Sequence, residues 1–120
     1  MKYNINIDYN RDKYLSEFGI ITLKDRYLVA GETSPQDGFA RAACAFADDE
    51  AHAQRLYDYA SKLWFMFSTP ILSNGGTDRG LPISCFLNHV EDSREGITGH
   101  YTENAFLSSV GGGIGGHWGA

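Results

Sequence analysis

Between Ala53 and Phe67 the residues Ala53, Leu56, Ala60, Leu63, Trp64 and Phe67 recur at helical spacing, and Pro70 follows shortly after. Gln54, Arg55, Asp58 and Lys62 fall off that stripe. The pattern predicts an amphipathic helix whose apolar face must be buried against another element. It should end before Pro70, because the residue ahead of a proline is pushed out of the α region. Past that point the chain changes character. Ser73-Asn74-Gly75-Gly76-Thr77-Asp78-Arg79-Gly80 is turn chemistry, with Asn-Gly and Gly-Gly favouring positive φ. A helical region of residues 1–80 therefore gives way to a region of different character, residues 81–120.

The other elements arrange themselves around this boundary. A first helix is expected from Asn10 to Phe18, with Asn10 as cap and Gly19 at C′. A short apolar stretch from Ile20 to Leu23 follows, and then Tyr27 to Val29. Ser34-Pro35 reads as a helix start, since proline at N1 loses no hydrogen bond. Phe39, Ala42, Ala43 and Phe46 extend that helix to about Ala47, and Asp48-Asp49 places negative charge where the next helix begins. Beyond the turns, Leu81 to Leu87 has the length of a buried strand, and Asn88 to Ser93 reads as a loop. Asp92 with Glu95 has the form of a capping box, which predicts a helix from Arg94 to Ser109 with Ile97, Tyr101, Ala105 and Ser108 on its inner face. A glycine-rich loop from Gly111 to Gly119 closes the chain. Its six glycines carry a large backbone entropy cost with nothing after them to pack over it, so a longer chain is expected to continue through this point.

Composition excludes several classes of function. Hydrophobic residues make up 42% and charged residues 21%, which is globular composition. With 10 Lys and Arg against 15 Asp and Glu, and no basic stripe, nucleic-acid binding is not expected. A free nucleotide needs only a few backbone N–H groups and one cation, so it stays within reach. There is no signal-peptide core at the amino terminus and no apolar run that could span a bilayer. Two distant cysteines without a secretory signal fit a reducing cytoplasm.

Taken alone, Cys85 in an apolar run is a small packing residue, and so is Cys44 on a predicted helix. His52, His89, His100 and His117 form no recognised ligand spacing, so no metal site is expected. Pairing of Cys85 with His89 or His117 as a nucleophile has no sequence signature. Gly111, Gly113 and Gly116 satisfy a dinucleotide-binding pattern, but a run this rich in glycine satisfies almost any such pattern. It also follows a helix, whereas that fingerprint follows a strand. Period-two alternation puts Ile83, Cys85 and Leu87 on one face of the expected strand.

Thr69-Pro70-Ile71-Leu72-Ser73-Asn74-Gly75-Gly76-Thr77, then Leu81-Pro82-Ile83-Ser84-Cys85-Phe86-Leu87, together with Gly31-Glu32-Thr33-Ser34-Pro35-Gln36 and Gly111 to Gly115, resembles the large subunit of class I and class II ribonucleotide reductases. The likeness covers nearly the whole chain, in the family's order and spacing. It implies a mainly α fold, a helical amino-terminal domain leading into the first strand and helix of an incomplete ten-stranded α/β barrel. It implies that Cys85 is one of two thiols that reduce the ribose, aimed into the barrel, with the partner thiol much later in the chain and Cys44 left as core packing. Thr69, taken as the end of a helix, would contact substrate phosphates. Ser84 would serve through its backbone or from the rim, and Gly113 would let backbone approach the substrate. Asp92, Ser93 and Arg94 would lie at the effector site, with Asp92 also capping a helix in a dimer interface.

The resemblance further implies that this chain binds no cofactor. The radical would come from a dimetal small subunit, or alternatively from adenosylcobalamin, and an external dithiol such as thioredoxin or glutaredoxin would reopen the disulfide. The other partners would be the remainder of the large subunit, a second large subunit, a ribonucleotide substrate and a nucleotide effector. The cysteine that carries the radical is missing, so the chain is expected to be inactive alone. The family pattern starts near Asn10, which implies no amino-terminal activity domain. Two other readings compete: a non-catalytic remnant that binds a reductase subunit or nucleotide, and a small thiol enzyme built on Cys85.

Overall fold

The structure is a computed structural model, and it describes residues 1–119. It divides into two compact units, the first spanning Met1–Arg79 and the second beginning at Gly80.

The first unit is helical. A short 3-10 helix, Tyr9–Tyr14, is capped by Asp8, whose side chain accepts from the Asn10 N–H. Helix α1, Glu17–Arg26, starts at Ser16, whose hydroxyl accepts from the Gly19 N–H at 3.0 Å. The expected helix from Asn10 to Phe18 is thus two elements. Two oxygen-bearing side chains each cap a separate start, Leu15 between them is extended, and Gly19 and Ile20 to Leu23 lie inside the second. Helix α2, Pro35–Phe46, has proline in its first turn and a full capping box: the Ser34 hydroxyl accepts from Gln36, and the Asp37 carboxylate accepts from the Ser34 N–H. It is the central element, with Gln36, Phe39, Ala40, Ala42 and Ala43 fully buried.

Helix α3, Glu50–Ser61, is capped by Asp49 and stops well short of Phe67. The Leu63 N–H bonds the Ala60 carbonyl and the Trp64 N–H bonds the Tyr59 carbonyl, both at 2.9 Å, with Leu63 at φ 61°. That is a Schellman closure with leucine where glycine is usual, and the Tyr59 and Trp64 rings stack across it at 5.1 Å. Ala53 and Ala60 of the expected stripe are buried, but Leu63 and Trp64 are exposed; Tyr57, which the stripe omitted, is fully buried. Helix α4, Thr69–Asn74, then begins at the Thr-Pro pair. Pro70 starts a helix here, in the first-turn position that tolerates it.

The second unit is a β–α–β arrangement. Strand β1, Cys85–His89, leads to helix α5, Arg94–Ser109, and to strand β2, Gly113–His117. The strands are parallel, pairing Cys85 with Gly113, Leu87 with Gly115 and His89 with His117, and α5 is the crossover that such pairing requires. Two expectations change. The strand is shifted towards His89, and the glycine run, read as a loop, forms a strand from Gly113, where β1 supplies hydrogen bonds that offset the glycine entropy. Phe86, Asn88 and Val90 turn towards α5, with Asn88 Nδ2 donating to Glu103 Oε2 at 2.8 Å, while Cys85, Leu87 and His89 are exposed. Helix α5 occupies its expected span, but its inner face is Ile97, His100, Asn104 and Leu107; Tyr101 is 64% exposed. No helix among the described residues is long and apolar enough to cross a membrane.

Candidate functional site

Three of the expected site residues meet at the head of β1. Cys85 is a free, exposed thiol on the uncovered face of the strand pair. The Ser84 hydroxyl lies 3.9 Å from its sulfur, and the Ser84 carbonyl accepts from the Gly113 N–H, so that serine tethers β2 through its backbone. Gly113 is the register partner of Cys85, and a Cβ built on it would stand 3.7 Å from Sγ and 3.3 Å from the Ser84 oxygen. The glycine therefore keeps the approach to the sulfur open from the neighbouring strand. Parallel sheets are ordinarily covered on both faces; here α5 covers one face, and the sulfur lies on the other.

Thr69 belongs to the first unit and opens a helix, where it was expected to close one. Its hydroxyl is 3.1 Å from the Tyr27 hydroxyl. The two flank an apolar groove of about 310 Å³ lined by Leu15, Phe18, Leu23, Phe67 and Leu72 among others. Asp92, Ser93 and Arg94 lie beyond the far end of β1 from Cys85. Asp92 is not the cap of α5: the Ser93 side chain accepts from Gly96 N–H at 2.9 Å and takes that role, leaving Asp92 exposed and uncommitted to the helix. The backbone decides this, since Ser93 is the extended residue immediately before the first helical turn.

Sequence reasoning passed over Arg41 and Tyr27. The buried Arg41 guanidinium pairs with Glu32 at 2.7 Å and donates to the carbonyls of Leu72, Gly75 and Tyr27. It thereby holds α4, and with it Thr69, against α2. A lone arginine among the small residues of a buried helix was the available signal. Cys44 is 1% exposed inside the α2 core, and burial pushes its thiol pKa up. Among the described residues, no three His, Cys, Asp or Glu side chains gather as a metal site.

Residues 13–80 match the family model described as "Ribonucleotide reductase, all-alpha domain". The chain belongs to the ribonucleotide reductase large-subunit family. A ribonucleoside-diphosphate reductase large subunit from Invertebrate iridescent virus 6 is 46% identical over 112 residues, which is 93% of this chain and 12% of the viral protein. The ribonucleoside-diphosphate reductase subunit alpha of Helicobacter pylori is 36% identical over 93% of this chain and 15% of its own length. Among solved structures, the Actinobacillus ureae class Id ribonucleotide reductase alpha subunit superposes with a TM-score of 0.76 at 34% identity, covering 95% of this chain and 22% of that one. The chain thus spans less than a quarter of each of these three reductase subunits, and its helical unit followed by a strand and helix accords with the start of such a subunit.

Proposed function

We propose that this chain is the opening portion of a working ribonucleoside-diphosphate reductase large subunit, in which Cys85 is one of two thiols that reduce the ribose. In that reaction the C2′–O bond breaks and a C2′–H bond forms. The hydroxyl leaves as water, and two thiols give up two electrons and two protons to become a disulfide. The partner thiol and the radical-bearing cysteine come from the remainder of the subunit; Cys44, sealed in the α2 core, is no candidate. The observation that carries the reading is the exposed sulfur on the uncovered face of β1, with a glycine opposite it. Ser84 and Gly113 shape the rim, and Thr69 contributes a hydroxyl to the substrate phosphates. Asp92, free of capping duty, accepts from an effector ribose beside Ser93 and Arg94.

On this reading the chain holds no cofactor. The radical reaches the subunit from a dimetal small subunit, a thioredoxin- or glutaredoxin-like dithiol reopens the disulfide, and two large subunits associate. The test is complementation. Purified chain is mixed with the rest of the large subunit, the small subunit and a dithiol, and deoxynucleotide formation is followed. Cys85→Ser should reduce turnover to background, while Cys44→Ser retains it. Undiminished product from Cys85→Ser ends the assignment.

A further inference from the structure

We propose that His89 and His117 form a two-imidazole chelating site for a divalent transition-metal ion of the nickel–copper–zinc group. The site is independent of the reductase chemistry assigned to Cys85. The two histidines are register partners at the closing end of the parallel pair, and both are exposed on the face that α5 leaves uncovered. Their backbones are fixed relative to one another, because the ladder continues beyond them with the Val90 N–H bonding the His117 carbonyl at 2.9 Å. The rings face each other with centroids 5.8 Å apart and planes 27° from parallel. Among the described residues no hydrogen bond is made by either ring.

That spacing suits chelation. A metal–nitrogen bond of about 2.0–2.1 Å places each ring centre about 3.2 Å from the ion, so two imidazoles at a tetrahedral angle have centres about 5.2 Å apart. Because the rings lie stacked, each must also turn about its Cβ–Cγ bond to bring a nitrogen of both towards one shared ion. Neutral imidazole suits nickel, copper and zinc, with water completing the coordination. Cys85 lies four residues back along β1, about 13 Å at the usual strand rise, so its sulfur is not a ligand. Because the two donors come from different strands, the ion would also pin β1 to β2.

The experiment titrates Ni²⁺ into the full 120-residue chain by calorimetry, with thiols kept reduced by a phosphine. One ion per chain is expected. His89→Gln and His117→Gln should each weaken binding on the order of a hundredfold, because either change leaves a single donor without its tethered partner. His52→Gln and Cys85→Ser should leave it unchanged. Wild-type chain, alkylated at the exposed Cys85 and freed of phosphine so that nothing reduces the ion, then loaded with one equivalent of Cu²⁺, should show two equivalent imidazole nitrogens by electron spin resonance, a readout that does not depend on any variant folding. Affinity indifferent to either histidine, binding lost with Cys85→Ser, or a single coupled nitrogen overturns the site.

Discussion

Cys44 is 1% exposed among the α2 side chains and contacts the Tyr3 carbonyl at 3.7 Å, while Cys85 stands exposed at the head of β1. A thiol reacts as thiolate and only when reached, so an alkylating reagent should modify one cysteine per folded chain quickly. Cys44 should follow roughly 100-fold more slowly, at the pace of local opening. Cys85→Ser should remove the fast phase, measured by mass spectrometry against time; equal rates at the two positions would contradict the placement. Asp37 offers a second residue-level test. Burial raises its pKa, but the Ser34 and Thr33 N–H groups and the Tyr9 hydroxyl outweigh that, and the net shift is downward from 3.8. A depressed carboxylate stabilises the fold above its unfolded-state pKa, and that contribution is lost as pH falls through the folded value. Wild type should therefore lose stability as pH drops below 3.8, and Asp37→Asn should be less stable near neutrality with a flatter acid limb in urea titrations.

At the level of elements, the start of α2 was legible because Ser-Pro carries its own capping chemistry, and the span of α5 was legible although its cap is Ser93 and not the expected Asp92. Stops were harder to read. Helix α3 ends at Ser61 through a Schellman closure that places a leucine at φ 61°, and no propensity rule points to leucine there. Leu63 is 43% exposed and contributes little packing, so Leu63→Gly should relieve the left-handed strain and stabilise the chain by about 0.5–1 kcal/mol. Chemical denaturation checks this; a loss of stability would mean the side chain matters more than its backbone angle. The inner face of α5 escaped periodicity analysis for a different reason. It is built partly from His100 and Asn104, while the aromatic Tyr101 and Phe106 point outward, so the apolar stripe traced the wrong side. Within the site, Cys85, Ser84 and Gly113 came from motif resemblance, and their junction depends on a strand that a glycine run does not advertise. Arg41 and Tyr27 act through contacts distant in sequence, which local patterns do not record.

Across the whole molecule the two units differ in how much they bury. The first encloses a cluster that includes Ile5, Phe39, Cys44, Tyr57 and Leu72, whereas the second buries Val90, Asn88 and His100 and leaves Leu87 91% and Phe106 72% exposed. A two-stranded pair has little stability of its own, so hydrogen exchange should be uneven. Amides in the middle of α2 should be protected at least on the order of a thousandfold more than those of β2. Equal protection throughout would show a single cooperative body instead. The pairing of Cys85 with Gly113 also makes the short link between α5 and β2, Val110 to Gly112, a spacer of set length. One residue inserted there would shift the pairing by a single step and turn each β2 side chain over: Gly112 would face the sulfur, and the His117 ring would be turned off the open face into the place of Trp118, which now packs against His100 at 5.1 Å. Length variation among relatives should therefore spare this link.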